Sequence, residues 1–369
     1  MYWDTAATTP VKPEVLKAMM PYFTDKWYNP SAIYEPAREI RRDVERAREI
    51  IAKSINAKPE EIFFTSGGSE GNSWVVSNDY DVMVATSCLE HHSIDVGVRD
   101  SSKTLYNDQF GVISYASWLD DVYLDSAIIA VIMANNEIGT VQDIKTLVKY
   151  AHDRQIFFHT DAVQAYGKIP IDVKELGVDS LSVSGHKIGA PKGIGFIYIK
   201  EDSQEYLSPL IYGSQERNMR GGTENVPYIM GLAKAVELID YSKQNYFKEV
   251  YEYAVEHCQD FATVNGHPTQ RLYNILSLTI KEPIDGQQLI GLLHDQGEYV
   301  SAGSACNSYN SEPSHVLKAI GLSDEEAART IRISFPDEVD KGDINRLFDN
   351  IRQNINILKM MSSMNITGV

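Results

Sequence analysis

The chain has little cysteine and little positive charge. Its 369 residues include only Cys88, Cys258 and Cys306, with no CxxC pair and no zinc-like Cys/His spacing. Neither a disulfide framework nor a structural metal is therefore expected, and a reducing, cytosolic setting fits best. The 34 basic residues are outnumbered by 51 acidic ones, a formal net charge of −17, which argues against nucleic acid or an anionic membrane as a general partner. Long apolar runs are missing as well. The longest, Ala127 to Ala134, is far too short to span a bilayer, and the opening MYWDTAATTP lacks the basic-then-apolar profile of a signal peptide. Internal repeats and low-complexity linkers are also absent.

What is present is a globular composition, 43% apolar and 23% charged, on a chain longer than one core usually serves. Strand-like runs alternate with helical patterns through the first two thirds: IFFT (62–65), DVMVAT (81–86), SAIIAVIMA (126–134), IFFHTD (156–161), DSLSVS (179–184) and GIGFIYIK (193–200). Short, apolar and rich in β-branched or aromatic residues, they read as buried strands. Residues 35–55 put Ile40, Val44, Ala47, Ile51 and Ile55 on one helical stripe, and in DIKTLVKYAHDRQ (143–155) Ile144, Leu147, Val148 and Ala151 share a face. The alternation predicts an α/β fold with a mostly parallel sheet. A single long helical pattern over Tyr228–His257 is expected to lead out of this lobe. Beyond it RLYNILSLTI, the Cys306 segment and RTIRISF predict a smaller α+β lobe, and the tail SSMNITGV has little to pack against. The boundaries expected are 15–243 for the large domain, with 1–14 and 244–369 forming the small one.

In an open α/β sheet, ligands bind beyond the carboxyl ends of the strands. Five polar segments follow strand-like runs there: SGGSEGN (66–72), LEHHS (89–93), ANNEIGT (134–140), TDAVQ (160–164) and SGHK (184–187). Taken singly, each has an ordinary reading. SGGSEGN is a Gly-rich turn or a helix start whose N–H groups hold a phosphate, and it matches neither GxGxxG nor a P-loop. Asp161 is a helix N-cap or a desolvated carboxylate that answers a pyridinium N–H. Lys187 is a solvated lysine or an amine whose proton leaves readily enough to form a Schiff base. Taken together on one sheet edge, a Schiff-base lysine, an acidic partner for a ring nitrogen and a phosphate cup are what pyridoxal 5′-phosphate chemistry needs.

The motifs FTSGGSE, EHHS, NNEIGTVQDI, HTDAVQ, SGHKIGAPKGIG, RGGTENVP and SAGSACNSYNSEPSHVLKAIGL closely resemble those of the cysteine desulfurases, the NifS/IscS-like group of class V pyridoxal-phosphate enzymes, from the N-terminus to about residue 335. The resemblance implies a fold-type-I architecture, with Lys187 as the lysine that binds the cofactor and Asp161 facing its ring nitrogen. It implies that His91 stacks on the ring and moves protons, with Gln164 and Asn136 near the ring hydroxyl and substrate. Gly68, Ser69, Ser184 and His186 hold the phosphate, and Thr223 reaches it from the second subunit of a homodimer. Arg332 grips the substrate carboxylate, a task suited to a two-pronged guanidinium. Arg332 also has a purely structural reading as a buried pairing partner, and Asn136 one as a turn residue.

Cys306 decides the reaction. Its small, polar surroundings, Ser301 to Ser308, suit an accessible loop nucleophile, and the resemblance implies that this thiolate attacks the sulfur of L-cysteine, releases alanine and carries a persulfide to an acceptor, whether for iron–sulfur cluster assembly, tRNA thiolation or another pathway. Cys88 and Cys258 read as packing residues. The sequence departs from the family in a contraction between Ser69 and His91 that leaves little room for the usual helix, and in GGSE where an Ala-Thr-Glu run is usual, which adds backbone freedom at Gly68. Two rivals remain: a selenocysteine lyase or other β-eliminating class V enzyme that does not need Cys306, and a silent sulfur-carrier scaffold.

Overall fold

A computed structural model describes residues 1–77, 83–95, 103–114, 126–302 and 313–366. Cys306 lies outside them. Seven strands form one sheet in the order β1-β7-β6-β5-β4-β2-β3: β1 (Ile62–Thr65), β2 (Met83–Ser87), β3 (Lys103–Leu105), β4 (Ser126–Ile132), β5 (Phe157–Asp161), β6 (Ser180–Ser184) and β7 (Gly195–Ile199). All run parallel except β7, which is antiparallel to both neighbours. The six predicted strands are present, because strands covered on both faces are read as continuous apolar runs. The short edge strand β3 gave no such signal.

The predicted helices form at Glu35–Ser54 and Ile144–His152, the second capped by Asp143. The long pattern over Tyr228–His257 is not one helix. It divides into Val226–Glu237 and Lys243–Cys258, because Asp240 accepts hydrogen bonds from the backbone and hydroxyl of Ser242 and so satisfies polar groups that a helix would use. Nor does the contraction after Ser69 remove its helix: Gly68–Val76 keeps nine residues. The last helix, Lys341–Ile366, carries the tail further in regular structure than its composition predicts.

A second, antiparallel sheet has the order β10-β11-β9-β8, from β8 (Ala262–Asn265), β9 (Ile275–Ile280), β10 (Ser301–Ala302) and β11 (Thr330–Ser334). Its core gathers Trp3, Phe247, Leu276, Leu278, Ile331, Ile333 and Phe348, apart from the core under the large sheet. The first residues of the chain join it through bridges from Tyr2 to Tyr299 and from Asp4 to Ser334, so the segment that follows, Thr5–Thr9, runs between the lobes.

One buried ion pair fastens the large lobe. Arg48 donates from both terminal nitrogens to Glu216, at 2.7 and 2.8 Å, and Glu216 also accepts from the Phe64 backbone. Both side chains are almost wholly buried. Glu216 opens three consecutive left-handed residues, Glu216, Arg217 and Asn218, a conformation costly outside glycine, and the ion pair holds that turn against the sheet. Glu216→Gln is expected to lower unfolding free energy by about 3 kcal/mol, since it strands a buried guanidinium. That is the low end of the usual range, because Glu45 stays within 3.2 Å of Arg48. Urea denaturation checks this; a loss below about 1 kcal/mol contradicts it.

Candidate functional site

The carboxyl ends of β1, β2, β4, β5 and β6 open on a cavity of about 350 Å³. Gly68, Ser69, His91, Asn136, Asp161, Gln164, Ser184, His186, Lys187 and Arg332 all line it. Thr223 does not line it within this chain and is exposed on the loop after Arg220; the expectation for Cys306 falls outside the described residues.

Glycines shape one end of the cavity. A Cβ on Gly68 would meet Val163 at 2.3 Å, one on Gly71 would meet the Ser182 hydroxyl at 2.5 Å, and one on Gly195 would meet the Val183 carbonyl at 2.3 Å. Gly71 lets the helix Gly68–Val76 settle onto β6, Gly195 lets the Gly67 backbone that precedes it approach β7, and Gly68 seats its start against the turn after β5, with Ser184 beside its first turn. No side chain caps that helix, so its leading N–H groups, the Ser69 and Ser184 hydroxyls and His186 face one another as an anion cup. Burial and the nearby Lys187 and Lys192 push His186 down to about 4. It is neutral at pH 7, with Nδ1 against the Thr8 hydroxyl at 3.0 Å.

Asp161 ends β5 with its carboxylate buried. Oδ1 accepts from the Val163 N–H at 2.8 Å and Oδ2 from Asn72 Nδ2 at 2.7 Å. The second hydrogen of that Asn72 amide goes to Ser93 Oγ at 2.9 Å, and Ser93 Oγ lies 2.8 Å from His91 Nδ1. The Ser93 backbone N–H also points at His91 Nδ1, so Nδ1 is an acceptor and proton exchange with the cavity falls to Nε2. Desolvation, and after it the charges of Asp161 and Lys187 in opposite senses, leaves His91 below its ordinary value and neutral. Asn72 Oδ1 accepts from His159 Nε2 at 3.0 Å, and His159 Nδ1 meets the Ser180 hydroxyl at 2.7 Å. Burial pushes His159 down to about 3. One amide thus fixes Asp161 and His91 together, braced from behind by a neutral histidine.

Sequence reading missed Asn72, Ser93 and His159. A weak signal existed: His159 lies two residues before Asp161 in a strand, hence on the same face. Asn72 is one turn past Ser69, but its contacts depend on the helix crossing β5. Asn72→Ala is expected to lower kcat roughly 10- to 100-fold, the worth of a hydrogen bond to a charged group, with cofactor content retained. Steady-state turnover with absorbance of bound cofactor measures both; an unchanged kcat rules out a positioning role.

Lys187 follows β6 on a single 3-10 turn, Gly185–Lys187. Its Nζ donates to the Ala6 carbonyl at 2.5 Å and the Ala7 carbonyl at 2.8 Å, and Gln164 Nε2 donates to the same Ala6 carbonyl at 2.9 Å. The inter-lobe segment therefore orients the lysine. Lys192 does not line the cavity. Arg332 enters from β11, 1% exposed, with Nη2 on Asp4 at 2.7 Å and Ser301 at 2.9 Å and Nη1 on the Asn136 carbonyl at 3.0 Å. Its structural and its anion-binding readings are thus compatible, because Asp4 and Asn136 hold the fork at the cavity wall.

Two acids were also unforeseen. Glu90 lines the cavity fully buried, accepts from the Ser87 hydroxyl at 2.5 Å, and is pushed up to about 8 by desolvation, with Asp161 adding to the rise. Desolvation likewise raises Glu137, which accepts from Ser314 at 2.5 Å. His315 donates from Nε2 to the Glu90 carbonyl at 2.9 Å, tying the helix His315–Ala319 to the site.

Residues 1–347 match the aminotransferase class-V family. A protein of Methanosarcina thermophila named cysteine desulfurase IscS is 40% identical over 98% of this chain and 93% of its own length. Among solved structures, a NifS-like protein superposes with a TM-score of 0.89 at 30% identity, covering 97% of this chain and all of its own. One described as SspA in complex with cysteine gives 0.80 at 35% identity, over 91% of this chain and 98% of its own. No helix among the described residues is long and apolar enough to cross a membrane.

Proposed function

Since the chain belongs to the class V aminotransferases, and within them to the cysteine desulfurases, we propose that it converts L-cysteine to L-alanine and passes the sulfur to Cys306 as a persulfide for an acceptor protein. The observation that carries this reading is the convergence of Lys187, the braced Asp161 and an uncapped helix N-terminus on one cavity.

Those residues fit pyridoxal 5′-phosphate. The helix Gly68–Val76 with Ser69, Ser184 and His186 offers donors for a phosphate, and a buried carboxylate with one donor on each oxygen suits a cationic ring nitrogen. When bound there, the cofactor supplies an electrophilic carbonyl and an electron-withdrawing ring that acidifies the substrate Cα–H. Lys187 provides the amine that holds and releases the cofactor and, once released, a base near Cα. Asn72 and the Val163 N–H fix the Asp161 carboxylate in place. His91 exchanges protons through Nε2 while Ser93 fixes Nδ1. Arg332, steadied by Asp4, takes the substrate carboxylate, and Asn136 and Gln164 line the substrate side. Sulfur then moves to Cys306: its thiolate forms the S–S bond as Cβ–S breaks, and the electron pair left on carbon takes a proton to give alanine.

The reading includes the two-lobe division at about residues 14 and 243 and a homodimer in which Thr223 reaches the partner's phosphate cup. Support for the dimer comes from the exposed Thr223, on a loop tied beside the cup by the Arg220–Glu70 pair at 2.8 Å. Large side chains left in solvent, Trp27 at 65%, Ile33 at 82% and Tyr212 at 82%, add to it.

Purified protein given L-cysteine, pyridoxal 5′-phosphate and a thiol reductant is expected to release alanine and sulfide in equal amounts. Absence of alanine under these conditions overturns the proposal: sulfide without alanine points to a β-eliminating enzyme, and neither product to the scaffold reading.

A further inference from the structure

A second cavity, of about 400 Å³, lies between the lobes and shares only Lys187 with the first. We propose that it is a binding site for a small organic anion with an apolar body, such as an aryl or branched-alkyl phosphate or carboxylate, seated with its charge on Lys12, Lys168 and Lys243.

The charge pattern points to an anion. In a chain with a net charge of −17, Lys12, Lys168 and Lys243 line this one cavity, whose only carboxylates among the described residues are Asp240 and Asp337. Among the described residues neither Lys12 nor Lys168 has a carboxylate within ion-pair distance, and Lys243 has only Asp337, at 3.9 Å. Asp337 is itself exposed. Burial holds Lys168 below its ordinary value, the charge of Asp337 partly offsets this, and the charges of Lys12 and Lys243 add to the lowering. Such a set repels itself until an anion enters. Lys12 is also placed by backbone: its N–H donates to the Gly189 carbonyl at 3.0 Å, and its side chain lies along Gly189, where a Cβ would meet its methylenes at 2.8 to 3.0 Å. Lys168 lies at the loop that Gln244 ties down, by donating to the Lys168 carbonyl at 2.8 Å.

Much of the remaining lining is apolar: Ile188, Leu238, Ile239, Phe247 and Tyr273. A bare phosphate would leave it wet, and a neutral aromatic would leave the cations unanswered. A cavity of this size with an apolar wall and a few convergent polar groups is the usual form of a small-molecule site. None of Lys12, Lys168 or Lys243 touches the first cavity, so the proposal does not rest on the desulfurase reading.

Phenyl phosphate is the probe. Protein saturated with pyridoxal 5′-phosphate, so that the phosphate cup is filled, is titrated calorimetrically. One saturable event per chain is expected, at least 10-fold tighter than for inorganic phosphate or phenol, and weakened at least 10-fold in the Lys12→Met, Lys168→Met double variant. Thermal unfolding gives a second readout: the probe is expected to raise the midpoint of the parent and not that of the double variant, whose own midpoint shows that it folds. Binding that is absent, equal in parent and double variant, or accompanied by release of cofactor into solution overturns the proposal.

Discussion

Lys187→Ala is expected to abolish alanine formation, a loss of about 10³-fold or more, within the range for removing a group that exchanges protons with the reacting centre. The loss has two sources. The amine that holds the cofactor covalently is gone, and so is the nearest base for the substrate Cα–H. Borohydride reduction separates chemistry from folding: in the parent it is expected to fix the cofactor to Lys187 permanently, whereas in the variant the cofactor washes away under denaturant. The fold should survive, because the two carbonyls that Nζ satisfies are not both orphaned: the Ala6 carbonyl keeps its bond from Gln164 at 2.9 Å. The stability cost is then about 1 to 3 kcal/mol, that of one backbone acceptor left unmet. Parental turnover in the variant, or borohydride trapping at another lysine, rules out the assignment.

Cys306→Ser is expected to leave cofactor binding and the spectral response to L-cysteine intact while sulfide release falls by about 10³-fold or more. A hydroxyl at ordinary pH is not ionised and is far less nucleophilic toward sulfur than a thiolate, so the substrate would load and its sulfur would have nowhere to go. Mass spectrometry of the parent after brief exposure to L-cysteine without reductant is expected to find one added sulfur on Cys306 and none on Cys258. Cys258 is wholly buried at the end of its helix, and burial pushes its thiol up to about 11, which keeps it protonated. Sulfide released by Cys306→Ser at the parental rate would point to a lyase that expels sulfur without the loop.

The residues that touch the first cavity were largely legible, since most stand in short polar segments just after buried strands, where a parallel sheet exposes its carboxyl ends. Asp161, Ser184 and Lys187 are of this kind. Legibility failed where function depends on a crossing. Asn72 serves Asp161 and His91 only because close glycine contacts at Gly71 and Gly195 bring its helix onto β6 and β7, and nothing in SGGSEGN states which strand lies beneath. Glu90 and Glu137 were passed over because an acid in a loop ordinarily reads as solvated, whereas these two are enclosed by His315 and Ser314 from a segment some 180 to 225 positions away. The helix break after Leu238 was missed because its apolar rhythm continues through Ile239, while the Asp240–Ser242 turn that stops it is a three-residue signal.

The passage of Thr5–Thr9 between the lobes sets the order in which this protein is completed. Asp4 pairs with Ser334, Thr5 donates to Phe335 and Asp4 holds Arg332, contacts across about 330 positions. On a ribosome the first residues made therefore wait, without these strand partners, until almost the whole chain has emerged, and closing so large a loop is an entropically costly late event. Because the same segment supplies the two carbonyls that orient Lys187, the lysine acquires its final setting only at that closure. Capture of the cofactor is then a clock for the end of folding: in a refolding experiment, regain of large-lobe secondary structure should precede the cofactor's absorbance.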